Sequence, residues 1–211
     1  MAHLDLEEQE QLAQLKSWWA TYGNLIVAAL VIAALVSSGW QGWRFWQDRQ
    51  AGEASNLFEV LTKAQAGAEP KAVRDASGEL LEKYPRTLYA SMGALTSAKY
   101  FFDKGDNKTA KAQLEWVIEK TSADEFRDVA RLRLANVLLD EKAYDEALRQ
   151  LDAKHGGAFD AQYAVSRGDV LVAKGQVADA RSAYKFALEK AGAKDRSLRD
   201  SIQMRLDALG G

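Results

Sequence analysis

GDVLVAKGQVADARSAYKFA, residues 168–187, is the stretch on which the reading of the fold turns. Small or apolar residues stand at 168, 171, 180, 184 and 187, the three- and four-residue spacing of a helix face, on either side of Gly175. Two helices broken by a glycine make an antiparallel hairpin, and Gly168 and Ala180 are small enough to let them approach. The pattern occurs earlier as Ala98, Phe101, Gly105, Ala110, Leu114 and Val117. It occurs again, less completely, as Ala135, Leu138, Lys142, Ala147 and Leu151, with a lysine in place of the turn glycine. The alanines at 110, 147 and 180 are spaced by 37 and 33 residues.

A helical hairpin recurring at this period predicts a tetratricopeptide-like α-solenoid, whose units bury their faces only by stacking on their neighbours. A generic array of helical hairpins is the alternative. Working outward, a linking helix is expected from Arg44 to Ala66. A second spans Lys71 to Lys83 and stops at Tyr84-Pro85, because the residue before proline avoids the α region. Further helices are expected over Thr87–Lys104, Asn107–Lys120, a segment ending near Asp140, Tyr144–Ala153, Phe159–Lys174, Val177–Ala191 and Asp195–Leu209. Ser122-Ala123-Asp124-Glu125 reads as a capping box, Ser122 accepting from the amide of Glu125. With prolines only at 70 and 85 and abundant helix formers, the class is all-α.

Toward the N-terminus the composition changes. Residues 17–43 hold no charged side chain, and Leu25 to Val36 are purely aliphatic. A helix of that length reaches roughly 40 Å, enough for a ~30 Å hydrocarbon core with its interfaces. Tryptophans at 18, 19, 40, 43 and 46 mark both ends, where an indole buries its ring and keeps its N–H wet. A cleaved signal peptide would need a basic start, but residues 1–16 hold one Lys against Asp5, Glu7, Glu8 and Glu10. The chain therefore divides into an acidic tail (1–16), a single transmembrane helix (17–43), linking helices (44–86) and a repeat domain (87–211). Ala29, Ala33 and Ser37 form a small-residue face that suits packing on a partner helix or plain contact with membrane lipid.

Cysteine is absent, which removes disulfides, thiolate metal sites and thiol nucleophiles. The chain carries a net charge of −2, and the tail accounts for more than all of it. That balance speaks against nucleic acid, which needs a basic stripe. Orientation is nearly undetermined by charge. Lys16 precedes the span and Arg44 and Arg49 follow it, a bias of one charge toward a cytoplasmic C-terminal domain.

Nearly the whole chain resembles the YfgM family, the ancillary subunits of the bacterial SecYEG translocon. The resemblance rests on the acidic tail, the span, Gly42-Trp43-Arg44-Phe45-Trp46, Leu132-Arg133-Leu134-Ala135, and Arg167-Gly168-Asp169 followed by Gly175 and Ala180-Arg181-Ser182-Ala183-Tyr184. It implies a single-pass inner-membrane protein with its tail in the cytoplasm and its repeat domain in the periplasm, against the one-charge bias. It also implies association with SecYEG and the periplasmic chaperone PpiD, and help in passing newly translocated client proteins to chaperones. A membrane-anchored scaffold for another envelope complex is the alternative.

No catalytic constellation, metal motif or phosphate loop is present, so neither an enzyme nor a cofactor is expected. His3 and His155 read as solvated side chains in a tail and a turn, and Asp140-Glu141 and Asp145-Glu146 as capping or exposed charges. Tetratricopeptide arrays bind along the first helix of each pair. The matching positions are Met92, Leu95, Lys99 and Phe102; Val129, Leu132, Asn136 and Leu139; and Gln162, Val165, Asp169 and Val172. Eight of these twelve are apolar, which suits a groove for apolar protein segments or, equally, part of the core.

Overall fold

The computed structural model describes residues 6–210, so His3 and Asp5 lie outside the described residues. The helices are α1 (Leu6–Ala66), α2 (Pro70–Lys83), α3 (Leu88–Asp103), α4 (Asn107–Lys120), α5 (Asp124–Asp140), α6 (Tyr144–Leu151), α7 (Asp160–Ala173), α8 (Val177–Lys190) and α9 (Arg196–Ala208), with a 3₁₀ turn at Gly157–Phe159. No strand occurs among the described residues. The chain divides into two units, residues 1–49 and residues 50–211.

The first unit is the greater part of α1. Its apolar side chains, including Leu25, Leu30, Leu35, Trp18, Trp40 and Trp43, are exposed, and the helix is long and apolar enough to cross a membrane. Two of its polar side chains bond back along the helix, as a hydrocarbon surrounding favours. Thr21 donates to the carbonyl of Ser17 at 3.0 Å, and Gln41 Nε2 donates to Ser37 Oγ at 3.3 Å. Trp18 lies against Tyr22 and Trp43 against Trp46, with ring centroids 5.8 and 5.5 Å apart. Ala29, Ala33 and Ser37 are all exposed.

The second unit is built on one repeated turn. At Gly105, Lys142 and Gly175 the backbone is left-handed, with φ of +79°, +61° and +82°. The following amide bonds back to the helix just ended: Asp106 to Phe101, Ala143 to Leu138 and Gln176 to Leu171, each at 2.8 Å. This satisfies carbonyls that a helix end otherwise leaves bare. The same turn closes α1 onto α2, with Ala68 at φ +53° and the amide of Glu69 on the carbonyl of Ala64 at 3.0 Å. Ala68 stands 37 residues before Gly105, so the helices over 44–83 end in a hairpin of the same kind.

The hairpins also share a size rule. Seven residues before and nine after each turn stand Leu61 and Ser77, Ala98 and Leu114, Ala135 and Leu151, and Gly168 and Tyr184. All eight are buried, and in every pair one residue is large and the other small. In the last pair a methyl group at Gly168 would lie 2.3 Å from Tyr184 Cε1, so only glycine fits. Ala110, Ala147 and Ala180 are fully buried, as the sequence pattern requires. Adjacent turns are tied at the surface by Arg74 to Asp106, Asn107 to Asp140 and Lys174 to Asp145, at 3.1, 3.1 and 2.6 Å. Exposed pairs of this kind contribute little stability individually. Helix α9 covers the open end of the array by burying Ile202 and Leu206 against the α7–α8 cluster.

Two local expectations fail. The capping box does not form: Ala123 holds the N-cap position of α5 and no side chain caps it. Thr121 is buried and held by the hydroxyl of Ser91 at 3.0 Å, and Arg127 donates to its carbonyl at 2.6 Å. These bonds fix Thr121 in extended backbone and leave Ser122 facing solvent. Helix α6 ends at Leu151, short of Ala153, and has eight residues where α4 and α8 have 14.

Two measurements check the turn and the register. Lys142 holds a conformation that costs a side chain about 1 kcal/mol, so Lys142→Gly should raise the unfolding free energy by roughly that amount, and Gly105→Lys should lower it similarly. Ala180→Trp should lower the melting temperature clearly, because overpacking costs about 1–3 kcal/mol, while Ala178→Trp on the exposed side should leave it nearly unchanged.

Candidate protein-binding site

Helices α3, α5 and α7 are the first members of their hairpins and carry the twelve positions singled out above. Leu95 is only 7% exposed and belongs to the core, which corrects its reading as a groove residue: it packs among Ala94, Ala98 and the residues of α5. Met92, Phe102, Val129, Leu132, Leu139 and Val165 are half-buried, and Val172 is exposed at 38%. Phe102, Val129, Leu132 and Leu139 rest on the main core cluster, and Val165 on the α7–α8 cluster. Each of these side chains thus has one side in the core and another at the surface. Core contact and surface exposure are shared within these five residues.

The polar positions differ among themselves. Lys99, Asn136 and Gln162 are exposed. Asp169 is engaged inside the fold, accepting from the hydroxyl of Tyr184 at 2.6 Å and from Arg205 Nε at 2.9 Å. Burial and the neighbouring Asp169 carboxylate hold the Tyr184 phenol far above its ordinary range. A cavity of about 210 Å³ opens between α3, α4 and α5, floored by Ala98, Leu114 and Val137 and edged by Phe102, Arg133 and Asn136.

A larger cavity, about 650 Å³, lies where the shortened α6 leaves α7 and α8 uncovered. Here His155 departs from its expected solvation. Its ring stacks on Tyr163 with centroids 3.8 Å apart, and Nε2 lies 3.3 Å from Asp160. Asp128, nearly fully buried on α5, accepts from the amide of Gly156 at 2.9 Å, and the Tyr163 hydroxyl donates to its carbonyl at 3.2 Å. Burial pushes the Tyr163 phenol up to about 12. These contacts tie the loop after α6 to α5. The signal for the shortening was in the chain: Lys154 stands where the other hairpins have Val117 and Ala187. Among the described residues no group of acids and histidines has the arrangement of a metal site.

The repeats and the apolar helix are what the comparisons with known proteins match. Residues 16–211 match a tetratricopeptide repeat-like domain family. A protein of Neisseria gonorrhoeae named ancillary SecYEG translocon subunit is 33% identical over 208 residues, covering 97% of this chain and 98% of its own length. Proteins of the same name from Haemophilus influenzae and Escherichia coli K12 are 28% and 29% identical, with 97% and 96% of this chain covered. Matched along its length in both its apolar N-terminal helix and its repeats, the chain belongs to the family of ancillary SecYEG translocon subunits, the YfgM family.

Proposed function

We propose that this protein is a membrane-anchored, protein-binding subunit that works beside SecYEG and helps newly translocated proteins pass to periplasmic chaperones such as PpiD. The acidic N-terminal segment lies in the cytoplasm, the charge-free part of α1 spans the inner membrane, and residues 50–211 stand in the periplasm. The observation that carries this reading is the row of apolar side chains on α3, α5 and α7, part core and part surface. Such a face offers shallow, sequence-tolerant contact to apolar segments before they are buried by their own folding. It is a surface for binding. The relatives bear a translocon subunit's name, and the one-charge bias around the span is too small to set orientation for a domain of this size.

Orientation and partnership are tested separately. A single cysteine at Gly210 should react in intact spheroplasts with a reagent that cannot cross the membrane. Labelling only after lysis would overturn the periplasmic placement and the chaperone role with it. The full chain, purified in mild detergent after crosslinking in cells, should retain SecY and PpiD. Recovery of neither would favour a scaffold for another envelope complex.

A further inference from the structure

Arg133 differs from the arginines that close helix ends or pair with acids; Arg131 is also held by a backbone carbonyl, that of Lys154 at 2.9 Å, but in a loop rather than inside a helix. Arg127 and Arg199 reach back to the last carbonyls of α4 and α8, and Arg74 and Arg205 pair with Asp106 and Asp169. Arg133 does neither. Its Nη1 donates at 2.9 Å to the carbonyl of Leu95, within the run of α3 rather than at its end. Among the described residues no carboxylate lies within ion-pair distance of it. It is half-buried, and desolvation holds its pKa below the ordinary guanidinium value. A guanidinium has more N–H donors than one carbonyl uses, so most of its hydrogen-bonding edge is open.

That arrangement carries a stability cost, because a partly desolvated charge without a counter-ion is unfavourable. Nothing in the repeat requires it: the equivalent places hold Thr96 in the preceding hairpin and Ser166 in the following one. Arg133 edges the 210 Å³ cavity whose floor is apolar. The acid at that cavity, Asp103, is already bound by Lys99 at 2.7 Å. Those two charges offset each other and leave Arg133 as the net charge of the site. The exposed amide of Asn136 stands one helical turn further along α5 and adds polar capacity beside it.

We infer that Arg133 is the anion-recognising element of the protein-binding face, and that its ligand is a peptide segment with an Asp or Glu side chain next to a bulky apolar one. The apolar side chain fills the cavity, and the carboxylate closes on the open edge of the guanidinium. An internal acidic side chain fits better than a chain end, because apolar positions flank Arg133 on both sides, Val129 and Leu132 before it and Leu139 after it. A bound segment therefore continues past the carboxylate. This inference rests on the reading of the face as a protein-binding surface.

The test is an array of unrelated peptides with amidated C-termini, probed with the full chain in detergent. Bound peptides should be enriched in an acidic residue beside a bulky apolar one. In Arg133→Met and Arg133→Gln the binding of apolar peptides should persist. The preference for acidic peptides should fall by roughly tenfold or more, as loss of a charge-assisted contact implies. Both variants should melt no lower than the natural protein, since they remove an uncompensated charge. An undiminished acidic preference in either variant would overturn the inference, as would melting several degrees lower in both, which would make the arginine structural. A preference seen only in a parallel array with free C-terminal carboxylates, and not in the amidated one, would also overturn it. Apolar binding without acidic preference in the natural protein removes this inference alone; absence of any apolar binding removes the face as well.

Discussion

A left-handed residue between paired helices, with the next amide returned to a carbonyl of the helix just finished, is the constraint on which the domain depends. It occurs at Ala68, Gly105, Lys142 and Gly175. Each turn sets where the second helix begins, and therefore which of its residues meets the first helix. The exchange of large and small partners, from Leu61 with Ser77 to Gly168 with Tyr184, works only because that register is fixed. Interiors packed to crystal-like density tolerate little slippage, so the hairpins stack with the same faces buried in each. The apolar row on α3, α5 and α7 follows from the same register. It is held half in the core because the first helices lie side by side.

The periodicity of the chain made the three later hairpins legible, since their buried alanines and turn positions recur at nearly fixed spacing. Lys142 looked like a weak copy because a lysine is a poor residue for a left-handed backbone, yet the turn there matches the others. The hairpin of α1 with α2 was harder to see. Ala68 gives no glycine signal, and Leu61 with Ser77 inverts the small-then-large order of the other pairs. The capping box at Ser122 was a local pattern overridden by tertiary bonds at Thr121. Arg133 was invisible in principle. An arginine within a mixed helix reads as a solvated charge, and only packing shows that its counter-ion is missing.

Two different solvents explain the remaining division of the molecule. The charge-free part of α1 exposes a continuous apolar surface and bonds Thr21 and Gln41 back along the helix, as lipid favours. From Gln50 onward the apolar residues turn to a core, and several of those on α3, α5 and α7 are left half-exposed. Family membership ties that physical design to the translocon.

The most direct test of this account is where a translocating chain touches the protein. A photo-crosslinking residue placed in turn at Leu132, Val165 and Val172 on the first helices, and at Ala178 and Lys185 on the exposed side of α8, should be compared during arrest of a secreted protein in SecYEG. Crosslinks to the arrested chain from the first set and not from the second are the predicted result. Crosslinks confined to α8, or none from either set while the protein remains at SecYEG, would contradict it.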